Sequence, residues 1–161
     1  MAQEESKFQS SSIAPMHTAE HLLNQTMVRV FGCERSSNAH IERRKSKISY
    51  RLSECPSDEQ VADICERMNA LIAADLPVTI EYCERHLLPA DIHTDRLPDE
   101  AGTDGAVRLV HIGDYDVCPC IGLHVSHTAQ LGHFALLGTN WNPDTGTFRL
   151  RFKLEGSNFE D

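Results

Sequence analysis

Apolar positions along the chain change their period several times, and each change marks a new element. In residues 15–31, PMHTAEHLLNQTMVRVF, the apolar side chains Leu22, Leu23, Met27, Val30 and Phe31 recur at helical spacing. Pro15 suits a first turn and Gly32 a stop, so the pattern predicts a helix over 15–31. Ser36, Ser37 and Asn38 signal a turn. KISYRL at 47–52 then alternates, with Ile48, Tyr50 and Leu52 on one side and Lys47, Ser49 and Arg51 on the other. That is the period of a half-buried strand, and residues 38–44 are its expected hairpin partner.

Ser57 is the expected N-cap of a second helix over 58–74, which carries Val61, Ile64, Cys65, Met68, Leu71 and Ile72 at helical spacing. Pro77 follows its end, and PVTIEY opens a strand. Residues 89–105, rich in Asp, Gly and Pro, read as a long acidic loop. VRLVHIGDY (107–115) and HFALLG (133–138) read as strands. Asn142, Pro143, Asp144 and Gly146 make a turn before TFRLRFKL (147–154), where Leu150, Phe152 and Leu154 alternate with Arg149, Arg151 and Lys153. No internal repeat is present. The expected class is α+β: an antiparallel sheet packed with a long N-terminal helix and a second amphipathic helix.

Composition narrows the picture without changing it. The 161 residues, 40% apolar and 24% charged, suit one soluble domain with a real core. The polar start, MAQEESKFQSSS, has no apolar h-region, so residues 1–12 are expected to be a flexible lead-in to a single domain over 13–161, with the cytoplasm as default location. The six cysteines, at 33, 55, 65, 83, 118 and 120, form no compact disulfide framework. Free thiols are expected, most of them buried, with Cys118 and Cys120 set apart by their His and Asp neighbours. A net charge of -9 argues against gripping nucleic acid by bulk electrostatics. The charge is uneven, however: residues 29–51 hold seven Lys/Arg against two acids, and residues 54–104 hold thirteen acids against three bases. One face is therefore suited to phosphate, or is simply a solvated surface.

The candidate chemistry lies in two short segments. His17 and His21 are four apart on the expected helix, so their imidazoles share a face about 5–6 Å apart. Cys120 and His124 flank a three-residue gap just after a strand. Thiolate with imidazole is a zinc-favouring mixture, so the two pairs make either a candidate Zn²⁺ site or separate surface and hydrogen-bonded residues; the spacing does not show that they meet in space. His127, three residues beyond His124, is the reserve ligand; His40, His86, His93, His111 and His133 read as surface or hydrogen-bonded histidines. HTAEH also matches the inverted zinc-protease pattern H-x-x-E-H, with Glu20 as general base, but that reading needs a third ligand far downstream and a substrate cleft.

These residues carry a family resemblance. HTAEHLLNQTMVRVFG resembles the HTAxHLL helix of the alanyl-tRNA synthetase editing domain and of the AlaX-type trans-editing proteins. Cys120-Ile-Gly-Leu-His124 with Val125-Ser126-His127-Thr128 resembles the family's C-G-G-T-H-x-S/P-N-T-G segment, and the similarity runs over roughly 13–154. The related threonyl-tRNA synthetase editing domain uses a similar motif. The resemblance implies an editing-domain fold, zinc held by His17, His21, Cys120 and His124, and hydrolysis in trans of the ester joining a wrong amino acid, serine or glycine, to tRNA for alanine. Mischarged tRNA is thus the expected partner.

Within that reading Thr18 could offer its hydroxyl to a serine-like substrate, or bond only its own helix. Glu20 is a candidate base, although a solvated glutamate is the preferred alternative. Gly122 would let backbone approach the terminal adenosine. Arg43, Arg44, Lys45 and Lys47, with Arg149, Arg151 and Lys153, are the candidate phosphate contacts. The chain departs from the pattern at Ile121 and Leu123, at His127 and Ala129, and in the loop after the first helix, where Ser37 or Asn38 stands near the family's glutamine. A non-catalytic binding module with a structural zinc is the rival expectation from another class.

Overall fold

The computed structural model describes residues 10–84 and 106–157. The first helix, α1 (Ala14–Phe31), has Pro15 in its first turn and ends at Gly32 in a left-handed conformation, φ 68°. The second, α2 (Asp58–Ala73), starts at a full capping box: Ser57 Oγ accepts from the Gln60 N–H while the Gln60 side chain accepts from the Ser57 N–H. Both helices fall where the apolar spacing puts them.

The strands form two antiparallel sheets rather than one. In the larger, β1 (Asn38–Ile41), β2 (Lys45–Arg51), β7 (Thr147–Glu155) and β6 (His133–Asn142) lie in the order β1-β2-β7-β6. In the smaller, β3 (Val78–Glu84), β4 (Ala106–Ile112) and β5 (Asp116–Pro119) follow chain order. The run expected as one strand over 107–115 instead stops at Ile112. Gly113 adopts a positive φ of 52° and, with Asp114 and Tyr115, turns the chain back into β5. This correction matters, because the turn returns Cys120 toward α1. β6 also runs past Gly138 to Asn142, with a register shift between Leu136 and Gly138.

The core lies between the helices and the inner face of the larger sheet. Leu22, Leu23 and Met27 of α1 and Ile64, Met68 and Ile72 of α2 pack with Ile48, Tyr50, Phe134, Phe148, Leu150 and Phe152. Strand alternation sends Lys45, Lys47, Arg149 and Arg151 to the opposite, exposed face. Ile112 and Val125 join the smaller sheet to the same core. The six cysteines are free thiols, but Cys55 is exposed and the other five only half-buried, short of the burial expected. No described helix is long and apolar enough to cross a membrane. Residues 1–9 of the expected lead-in, the acidic loop at 89–105, and His86 and His93 lie outside the described residues.

Candidate metal centre

The helical spacing of α1 sets four polar side chains in one stripe, His17, His21, Gln25 and Arg29, and β5 with the loop after it runs alongside. At one end of this seam His17, His21, Cys120 and His124 converge, with one donor atom from each lying within 4.8 Å of all the others. Residues about a hundred positions apart in sequence thus form one group, as the sequence expectation required. His17 Nε2 is 3.3 Å from Cys120 Sγ. The rings of His17 and His124 stack at 4.2 Å, and His21 meets each of them edge-on, at 5.0 and 4.5 Å.

Each element of the site is braced from behind. His17 Nδ1–H donates to the Leu123 carbonyl at 3.3 Å. His124 Nδ1 pairs with Thr18 Oγ1 at 3.0 Å, and the same oxygen accepts the Val125 N–H at 3.2 Å. Arg108 donates to the carbonyls of Cys120 and Gly122, at 2.7 and 2.9 Å, and so fixes the loop between the cysteine and His124. Asp116, at the head of β5, accepts from Arg35 at 2.8 and 3.4 Å and from Gln25 at 3.2 Å, and its Oδ2 stands 3.9 Å from His21 Nδ1.

The group is electrically neutral as it stands. Burial holds the His17 imidazole down to about 4, against the lift from its Leu123 hydrogen bond. Burial, then the neighbouring histidines, keep His21 well below the ordinary imidazole range, and burial followed by His17 does the same to His124. Burial also pushes the Cys120 thiol up to about 12, although the Gly122 N–H donates to its sulfur. Three neutral imidazoles and a thiol therefore face one another with more lone pairs than protons. Among the described residues two buried side-chain polar atoms lack any hydrogen-bond partner, and both are here: His21 Nδ1 and His124 Nε2. Each such atom costs about 1–3 kcal/mol if left unpaired. Imidazoles with one thiolate are a donor set for zinc, so the residues fit the implied metal on their own chemistry.

The other sequence expectations separate in space. Thr18 is wholly buried behind His124, where its hydroxyl holds the ring. Glu20 is not the solvated glutamate that was preferred: its side chain is 14% exposed and Oε1 lies 3.9 Å from His17 Nε2. Gly122 is buried, with its N–H on Cys120 Sγ and its carbonyl on Arg108. Of the two departures in the cysteine loop, Leu123 packs against the core and Ile121 is half-buried. Arg43 and Arg44 sit in the exposed turn between β1 and β2. Lys45, Lys47, Arg149, Arg151 and Lys153 line the outer side of the larger sheet, away from α1 and the metal group. His127 is not a fifth donor, since its Nδ1 pairs with Asp75 Oδ1 at 2.5 Å. His40 and His111 likewise pair with Glu42 and Glu81, and His133 is exposed. Sequence reasoning missed Arg108, Asp116, Arg35 and Gln25; the only available sign was the continuation of the His17–His21 stripe to Gln25 and Arg29.

The family described as "Threonyl and Alanyl tRNA synthetase second additional domain" matches residues 107–155, from β4 through the cysteine loop to β7. This chain belongs to that family. It is 32% identical over 145 residues, 89% of the chain, to an alanine–tRNA ligase of Halorubrum lacusprofundi, of which it covers 16%. It is 31% identical over 126 residues, 76% of the chain, to the alanyl-tRNA editing protein AlaX-L of Pyrococcus horikoshii, of which it covers 29%. The chain thus spans less than a third of either relative.

Proposed function

We propose that this domain hydrolyses the ester joining a wrong amino acid to tRNA, with serine or glycine on tRNA for alanine as the first substrates, at a zinc ion held by His17, His21, Cys120 and His124. The observation that carries the reading is the convergence of those four donors, His17 and His21 buried and Cys120 and His124 half-buried, within 4.8 Å of one another. Likeness to the alanyl-tRNA editing protein supports it. Zinc bound there supplies Lewis-acid polarisation to the ester. The chain's own residues do the rest. Glu20, at the edge of the donor group, accepts a proton from the attacking water as that water's oxygen bonds to the carbonyl carbon. The bond from that carbon to the ribose oxygen then breaks, and the proton passes to the ribose oxygen. Thr18 keeps the His124 ring oriented, and the Arg108 contacts hold the loop carbonyls away from the reacting centre.

The outer cations take the role of tRNA phosphate contacts. Lys45 faces Lys153 and Lys47 faces Arg151 directly across the β2–β7 ladder. Like charges so placed are mutually destabilising, and a polyanion relieves them. Their position on the far side of the sheet supports contact with the body of the tRNA rather than with its acylated end.

One observation favours a second reading. Four protein donors converge, as many as a structural zinc would take with no position left for water. The H-x-x-E-H peptidase reading needs a missing fourth ligand, and here the fourth is present. Deacylation of Ser-, Gly- and Ala-tRNA for alanine and Ser-tRNA for threonine, by wild type and Cys120→Ala with zinc quantified in both, separates the remaining two. Turnover of a mischarged species that disappears with zinc establishes editing and names the substrate. Stoichiometric zinc without turnover sides with the structural role.

A further inference from the structure

The seam between α1 and β5 contains two incomplete polar groups that face each other. Asp116 is 4% exposed, and a carboxylate that deep requires compensation. Oδ1 accepts from Arg35 Nη1 at 2.8 Å and from Gln25 Nε2 at 3.2 Å, Oδ2 accepts a longer contact from Arg35 Nη2 at 3.4 Å, and the Val117 N–H also acts on the carboxylate. Oδ2 has acceptor capacity left over, and His21 Nδ1 stands 3.9 Å from it. That nitrogen is itself buried without a partner.

The other two histidines show what would complete the pair. His17 and His124 both spend Nδ1 on a protein oxygen, the Leu123 carbonyl and the Thr18 hydroxyl, and keep Nε2 for the donor group. On the same pattern His21 turns Nε2 inward and Nδ1–H toward Asp116. Of the three acceptors, the carboxylate alone is anionic, which strengthens the hydrogen bond and makes the imidazole a better donor.

We infer that Asp116, held by Arg35 and Gln25, is the positioning acceptor for His21 Nδ1–H: it fixes the tautomer that leaves Nε2 for the metal and thereby sets how tightly zinc is kept. This rests on the zinc reading above. The gap of 3.9 Å closes when the site is loaded, as hydrogen bonds in such sites commonly do. Arg35 acts one step further out. Its two-nitrogen grip orients the carboxylate so that Oδ2, rather than Oδ1, faces the histidine. The stripe then works as one device, because Gln25 and Arg29 also clamp the Tyr115 carbonyl, at 3.0 and 2.6 Å, and fix the start of β5 against α1.

The test is zinc affinity, measured on the purified chain by competition with a chromophoric chelator, for wild type, Asp116→Asn and Arg35→Lys. The amide introduced by Asp116→Asn must keep its oxygen toward Arg35 and so turns NH₂ toward His21, two donors face to face. Affinity is expected to fall about 10–100-fold in Asp116→Asn, with a smaller loss in the same direction in Arg35→Lys. A purely structural pair would lower the melting temperature of the metal-free chain and leave zinc affinity unchanged from wild type, and that result overturns the inference. Long-range proton–nitrogen spectra of zinc-loaded wild type give a readout that survives misfolding of either variant. His21 protonated on Nδ1, like His17 and His124, supports the inference; His21 protonated on Nε2 overturns it. A wild-type chain that takes up no zinc overturns both this inference and the metal reading beneath it.

Discussion

Along α1 and β5 the polar side chains turn inward, while along β2 and β7 they turn outward, and the two regions handle charge in opposite ways. In the seam most buried polar atoms have a protein partner, and of the two that do not, His124 Nε2 belongs to the donor group and His21 Nδ1 stands 3.9 Å from Asp116 Oδ2. On the outer sheet face Lys45, Lys47, Arg149 and Arg151 are exposed, Lys153 is half-buried and ion-paired with Glu155 at 3.3 Å, and Lys45 opposes Lys153 and Lys47 opposes Arg151 across the ladder. The difference shows how one small domain can divide its labour. The first is a cluster of lone pairs with the chemistry to take a cation, and the second an exposed row of cations with the chemistry to take an anion. Burial makes the first sensitive to single atoms, whereas solvent screening makes the second a matter of total charge.

The sharpest break in that contrast comes from the ligands. Cys120→Ala or His21→Ala removes one of the four converging donors, so zinc affinity should fall by about a hundredfold or more and deacylation should vanish with it. Metal analysis after gel filtration reads the first effect and ester hydrolysis the second. Next in size is Glu20→Gln, which keeps shape and removes the base. Turnover should drop by about 10²–10⁴-fold while zinc content stays at the wild-type level. Unchanged turnover would remove Glu20 from the chemistry.

A third prediction uses pH on the metal-free chain. The folded pKa of His17 is about 4, below its usual 6.5, so between those values the unfolded chain binds more protons than the folded one. Stability should therefore fall as pH drops from about 6.5 toward 4, and His21 and His124 add to the same slope. Cys120 acts at the other limb. Its folded pKa of about 12 lies above the usual 9, so the unfolded chain loses its proton first and stability declines above pH 9. Thermal melts across pH in the presence of a chelator should trace that dome, and Cys120→Ala should make the alkaline side shallower while the slope from the half-buried Cys33 and Cys65 and the buried Tyr50 remains. The smallest effect belongs to the outer face. Lys47→Ala with Arg151→Ala should leave zinc content untouched and change folding stability by no more than about 0.5 kcal/mol. It should also make the salt dependence of tRNA binding shallower by about 0.7–0.9 in log–log slope for each phosphate no longer neutralised.

Much of this was legible in the chain because local periodicity governs it. The helix over 15–31, the Ser57 cap and the alternation of 147–154 each follow from side-chain spacing, and the structure places all three there. The convergence of His17, His21, Cys120 and His124 was legible for a different reason, the match of two short segments to a family pattern; spacing alone did not bring Cys120 beside His17. What escaped was long-range. Nothing local distinguishes VRLVHIGDY as one strand from a strand and a turn until Gly113 is seen at a positive φ. Arg35 reads as a loop cation and Asp116 as one more acid, and only the folded seam makes them a pair. Charge counting found the basic stretch at 29–51, but alternation along β2 decided that its lysines face away from the metal group.

Whether the four donors hold zinc is tested most directly by elemental analysis of the wild-type chain, purified with zinc available, combined with zinc-edge X-ray absorption. The expected result is one zinc per chain, in a shell of three nitrogens near 2.0–2.1 Å and one sulfur near 2.3 Å. A chain without stoichiometric zinc, or a shell without sulfur, would contradict it.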